Sequence, residues 1–253
     1  MLSWLDVGLV RGAAAGTPGG WVRPSWPLLA FALAFPAFFT FGYFVALADA
    51  PRWLQQGAWL LGKLVQFGLP AAWWLGVHRR LPRPAWPGLQ GALAGGLLGL
   101  AMIGVALVLR HDLVAPGGVL AGGPAEAIRA KVTGLGVAGP WRFLALAAFY
   151  SVIHSGAEEY YWRWFVFGGL RSAAGAGPAI LCSSLGFAAH HVVLLSVFFG
   201  AGSPMAWALS LAVAGAGAFW AWLYQHSGSL VGPWLSHLLV DTAIFAIGWE
   251  LVS

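Results

Sequence analysis

Long apolar stretches alternate along this chain with short runs of Gly, Pro and charged residues. Seven can be drawn, at roughly 26–48, 57–77, 88–110, 140–165, 177–200, 204–225 and 229–251. A helix of about 20 apolar residues crosses the hydrocarbon core of a bilayer. The pattern therefore predicts an all-α, polytopic transmembrane bundle of about seven spans. Pro36 predicts a kink in the first span, and the Gly content of the third predicts close packing on a neighbour. A polar, Gly-rich loop at 111–138 separates the third and fourth spans, and its segment 124–131 predicts a short interfacial helix. Gly and Pro punctuate the joints at Gly168-Gly169, Gly175 to Pro178, Gly200 to Pro204 and Ser227 to Ser229. With no evident repeat and no soluble domain, 1–253 reads as one membrane domain. Residues 1–139 supply N-terminal helices and a loop, and 140–253 hold the chemistry.

Composition agrees with the pattern. Of 253 residues, 60% are hydrophobic and 8% are charged, against about 25% charged in soluble domains. The 16 Trp and 36 Gly suit interfacial anchoring and close helix packing. The formal charge of +5 reads as topology-setting loop residues, since no basic run is interleaved with aromatics, and nucleic-acid binding is excluded as a function class. The single cysteine, Cys182, forms no intramolecular disulfide and reads as a small buried hydrophobe. The bias of Arg over Lys, with abundant Ala and Gly, hints at a GC-rich bacterial genome. Ala46-Leu47-Ala48 has the look of a signal cleavage site, but the run before it exceeds a signal h-region of about 7–15 residues. It reads as an uncleaved first helix. Arg11, Arg23, Arg79, Arg80, Arg83 and Arg171 fall on one side of a seven-span topology, which predicts a cytoplasmic N-terminus and an outside C-terminus in the cell (inner) membrane. Arg110, Arg129, Lys131 and Arg142 lie on the opposite side and oppose that assignment.

The second span carries Lys63, and three later apolar spans carry clusters of ionisable residues that hydrocarbon disfavours. A centrally placed charge costs about 2.5–3.5 kcal/mol on insertion scales, so such residues call for a function. The fourth span holds Glu158 and Glu159. Glu159 and Arg163 are four apart on one helical face and can pair. Glu158 is rotated from Glu159 by about 100° and lacks that partner, which makes it the better candidate base. His154 lies one turn before it. Phe187, His190 and His191 share the fifth span, with Phe187 and His191 on one face and His190 turned from it. In the seventh span His237 and Asp241 are four apart, a spacing that lets the carboxylate orient the imidazole. Depth along the spans allows Glu158, His191 and His237 to line one water-filled cavity open to the cytoplasm. Two histidines and a carboxylate also match a catalytic zinc pattern, although no His-Glu-x-x-His helix is present.

Glu158-Glu159-x-x-x-Arg163, Phe187-x-x-x-His191 and His237-x-x-x-Asp241, in that order on separate spans, resemble the three motifs of the CPBP family of intramembrane endopeptidases. This family includes type II CAAX prenyl proteases and relatives of bacteriocin-processing and immunity proteins. The resemblance covers about 140–250, the CPBP-like catalytic core. It implies a metal-free, cofactor-free peptidase in which Glu158 and His191 activate water. It also implies that His237 and the residue at 241 stabilise the oxyanion, with Glu159 and Arg163 in support. The family often has Asn at the last position. An ionised Asp241 cannot donate to an oxyanion, so it either carries a proton or orients His237, and orientation is the favoured reading.

The implied substrate is a membrane-associated protein or peptide, lipid-modified or bearing a C-terminal sorting segment, met in the lipid bilayer. Two readings from other classes stand beside it. Buried Glu, His and Arg also build proton- or ion-coupled transporters, and the same fold serves non-catalytic immunity-type proteins.

Overall fold

The computed structural model describes residues 22–79 and 88–253. Among the described residues the chain is helix and loop, without a β-strand. The helices are α1 (Trp26–Ala46), α2 (Arg52–His78), α3 (Leu89–Val114), α4 (Gly123–Gly134), α5 (140–174), α6 (Ala176–Phe199), α7 (Pro204–Ser227) and α8 (Val231–Val252). Local chemistry explains the boundaries. Proline occupies the first turn of α1, α4, α5 and α7, where its missing N–H has no intrahelical partner to lose. Helix α7 stops where Gly228 turns left-handed, at φ 66°.

Among the described residues six helices, all except α4 and α5, are long and apolar enough to cross a membrane. Helix α5 is the seventh expected span, and it continues past 165 to Ala174, ending at Gly175. Its backbone is helical throughout, but its hydrogen bonding changes along the way. The stretches Phe149–His154 and Tyr160–Phe167 are π-helical and bracket the α-helical turn Ser155–Glu159. The wider i→i+5 turns re-aim the side chains on either side of the glutamate pair. This helix is the centre of the bundle. Tyr161, Trp162, Arg163, Phe165, Val166 and Phe167 are all buried, as expected of a helix with neighbours all round.

Helix α3 packs along α8, and α6 packs along α7. The first pair is held close by glycine, as the sequence predicts. A Cβ on Gly95 would overlap the Gly232 carbonyl, and one on Gly99 would sit 2.5 Å from Leu239 Cδ1. One end of the bundle gathers Pro24 against Gly169 and Ser227 against Gly91. There Arg171 Nη1 also donates to Gln225 Oε1 at 2.9 Å. At the other end α4, longer than the 124–131 segment expected, packs on α6 and α8. Arg129 Nε donates to the terminal carbonyl of Leu251 at 2.6 Å, and Arg110 pairs with Glu250 at 2.6 Å.

One expectation is corrected. Cys182 is exposed on α6, because the apolar surroundings its sequence suggests are supplied by the bilayer side of the helix and not by the protein core. Arg11, Arg80 and Arg83 lie outside the described residues.

The glycine seam gives a matched pair of substitutions. Gly95→Val should destabilise the detergent-solubilised protein by about 1–3 kcal/mol through overpacking. Gly104→Val, where nothing lies within 4 Å, should melt close to wild type in the same thermal-denaturation assay.

Candidate intramembrane active site

Four helices converge on one polar cluster inside the bundle. Helix α5 brings His154, Glu158, Glu159 and Arg163; α6 brings Phe187, His190 and His191; α8 brings His237 and Asp241. Helix α7 adds Gly217 and Trp220, which no sequence motif picked out. The lone Gly175 between α5 and α6 keeps those two helices adjacent.

Glu159 is fully buried and has two partners. Its Oε1 accepts a hydrogen bond from His237 Nδ1 at 2.8 Å. Its Oε2 faces Arg163 Nε at 3.1 Å, an ion pair that lacks hydrogen-bond alignment. The guanidinium is itself buried, lying 4.7 Å from the Phe187 ring centroid and 5.0 Å from that of Trp220. Its Nη2 reaches the Gly217 carbonyl at 3.5 Å. Glycine suits that position, since a Cβ there would crowd Phe187 Cδ1 at 3.1 Å and Ser184 Cβ at 3.3 Å.

Glu158 is buried and differently placed. Three imidazoles surround it, all beyond hydrogen-bonding distance. His190 Nε2 is 3.6 Å from Oε1, His237 Nε2 is 3.8 Å from Oε2, and His154 Nδ1 is 4.0 Å from Oε2. The expected contact from His154, one turn away, is therefore present. Both adjacent histidines of α6 reach the cluster, with ring centroids 4.1 Å apart. His190 lies parallel to Trp162, and His191 packs against Phe187. His191 Nδ1 is 3.0 Å from the Phe187 carbonyl. A carbonyl only accepts, so Nδ1 carries the proton and a neutral His191 keeps its lone pair on Nε2.

Asp241 stands at the other side of His237, with Oδ1 3.7 Å from Nε2. The carboxylate that hydrogen-bonds His237 is thus Glu159, from a different helix, and not the residue one turn away. Lys63 of α2 lies nearby. Its Nζ donates to Gln66 Oε1 at 3.2 Å and sits 5.3 Å from the Phe67 ring, which meets His154 edge-on. A lysine inside an apolar span was the available sequence signal for it. Trp220 had none, being one of 16 tryptophans.

Among the described residues no group of three or more His, Cys, Asp and Glu side chains is arranged to hold a metal ion. His237 Nδ1 is engaged by Glu159 and His191 Nδ1 by the Phe187 carbonyl, so each ring presents Nε2 to the cluster.

Residues 140–243, under half of the chain, match the family model for type II CAAX prenyl endopeptidase, Rce1-like. This segment belongs to that family. No curated protein and no solved structure matches the chain. The Rce1-like segment contains every member of the cluster from His154 to Asp241, including Gly217 and Trp220, and Lys63 alone lies outside it. The chain is accordingly a multi-pass membrane protein with a domain of the CAAX-type intramembrane protease class.

The buried ion pair makes a stability prediction. Arg163→Leu removes the cationic partner of the buried Glu159, leaving only the His237 hydrogen bond, and should cost about 3–5 kcal/mol. The double variant Arg163→Leu/Glu159→Gln should recover part of that loss, read as non-additivity of thermal stability in detergent.

Proposed function

We propose that the chain is an endopeptidase that hydrolyses a peptide bond within the membrane, using a water activated by Glu158 and His191. The supporting observation is Glu158 itself. It is a carboxylate buried in an apolar bundle, encircled by imidazoles from three helices whose nitrogens stand 3.6 to 4.0 Å from its oxygens. Such a group is ready to accept a proton from water. His191 Nε2, with its lone pair directed by the Nδ1–H bond to Phe187, serves as a second acceptor that orients the same water. The water oxygen bonds to the scissile carbonyl carbon as its proton passes to Glu158, and the carbonyl electron pair moves to oxygen. The C–N bond then breaks, and Glu158 returns the proton to the leaving amine.

His237 is the group for the oxyanion. Its Nδ1–H is engaged by Glu159, so donation from Nε2 requires the doubly protonated ring, which also carries positive charge to where negative charge develops. Glu159 and Arg163 hold that ring in place. Asp241 faces Nε2 and balances the imidazolium between turnovers. His190 and His154 complete the wall around Glu158. No step requires a metal.

The proposed substrate is a membrane-associated protein or peptide precursor, lipid-modified or carrying a C-terminal sorting segment. The family name specifies prenylated substrates for its members; the residues of this chain do not demand a prenyl group. We assign the N-terminus to the cytoplasm. The opposite end of the bundle has its cations engaged, Arg110 by Glu250, Arg129 by the Leu251 carbonyl, Lys131 by Tyr43 and Arg142 by the Gly136 carbonyl, and this supports reading them as structural contacts.

In membranes of expressing cells, Glu158→Gln should lower the yield of a defined cleavage fragment by about 100- to 10,000-fold. His237→Ala should lower it about 100-fold or more, and zinc chelators should leave wild-type cleavage unchanged. Terminal-labelling mass spectrometry reads all three, and a fragment that survives Glu158→Gln would refute the assigned base. For orientation, a reporter active only outside the cytoplasm should be active when fused after Ser253 and silent when fused before Met1. The reverse result would invert the topology.

A further inference from the structure

Trp220 lies on α7, the one helix at the site that carries none of the three motifs. Its indole is buried and nearly parallel to the His237 imidazole, with centroids 4.3 Å apart and planes inclined by 17°. The Arg163 guanidinium lies 5.0 Å from the same indole. Arg163 pairs with Glu159, and Glu159 accepts from His237 Nδ1. Four side chains on three helices therefore close a ring: Trp220, His237, Glu159 and Arg163.

The ring does what no single contact in it can. The hydrogen bond to Glu159 fixes the direction of one imidazole nitrogen but leaves the ring free to tilt about that bond. A flat aromatic surface against the imidazole removes the tilt and so fixes where Nε2 points. The stack is also favourable for a cationic ring, because the indole face is electron-rich. Phe187 meets His237 at 6.0 Å and 84°, so of these two rings only the indole is stacked on the imidazole. Gly217, three residues before Trp220, lets α7 pack closely on α6, where a Cβ would meet Phe187 Cδ1 at 3.1 Å and Ser184 Cβ at 3.3 Å.

We propose that Trp220 is a positioning residue that sets the plane of His237 so that Nε2 is aimed at the oxyanion. The kinetic consequence rests on the peptidase reading, whereas the positioning itself is read independently. A misplacement of a catalytic group by about 1 Å can cost roughly 100-fold in rate.

The test uses full-length protein in detergent, labelled with 15N-histidine. The hydrogen-bonded Nδ1 proton of His237 is assigned as the downfield resonance lost in His237→Gln. In Trp220→Leu this resonance should broaden or vanish. Turnover should fall by about 10- to 100-fold while KM stays within about threefold. Trp220→Phe, which keeps a flat ring, should retain the resonance and stay within about threefold of wild-type turnover. A folded Trp220→Leu protein that keeps both the resonance and the turnover overturns the proposal. Should Trp220→Leu not fold, Trp220→Met replaces it against Trp220→Phe, and equal behaviour of those two overturns the proposal. If wild type cleaves nothing, the peptidase reading fails while the resonance still decides whether Trp220 holds His237.

Discussion

Glu159 is a full negative charge at a place where water does not reach, and the bundle is organised around neutralising it. Removing a carboxylate from water costs several kcal/mol even after the protein relaxes. Only close, well-placed partners offset that cost. Arg163 supplies one from the next turn of the same helix, and His237 supplies the other from α8. The second partner makes the interaction architectural. Helix α8 has to approach α5 at the depth of the glutamate pair, and the glycine seam between α3 and α8 lets α8 be held there by close packing on its other side.

The same constraint separates two chemically identical neighbours. Glu158 and Glu159 are adjacent in the chain and both are buried, yet one is locked by a short hydrogen bond and an ion pair while the other is only approached, at 3.6 to 4.0 Å. A locked carboxylate is a support and an unlocked one is available for proton transfer. The π-helical stretches on both sides of the pair are consistent with this division of labour. They alter the rotation per residue just before and just after the pair, so the faces presented by His154 and Arg163 are not those of a uniform α-helix. Lining such a site with histidine and aromatic rings gives shape without adding fixed charge.

Much was legible before any coordinates. Bilayer-length apolar runs gave the spans, because in hydrocarbon only internally hydrogen-bonded helices are stable. Ionisable residues inside those runs pointed to the polar cluster proposed as the site, because their cost in hydrocarbon calls for an explanation. The spacing of four gave the Glu159–Arg163 pair and the His154–Glu158 approach, both of which depend only on helix geometry. Other features were not legible. Cys182 looked buried because sequence cannot tell a helix face turned to lipid from one turned to protein. Asp241 looked like the orienting partner of His237 because the same spacing of four applied; the tertiary structure gave that hydrogen bond to Glu159, 78 residues away.

The sequence by itself therefore determined the class of fold, the spans and the chemical inventory of the site. Each of these follows from local rules: transfer of side chains into hydrocarbon, helix hydrogen bonding and the periodicity of one helix. What only the tertiary structure decided is which members of that inventory touch. The rotation and depth of the packed helices chose Glu159 over Asp241 for His237 and brought an unremarkable tryptophan against its ring. Such contacts depend on distances between helices, and no periodicity within a single helix encodes them.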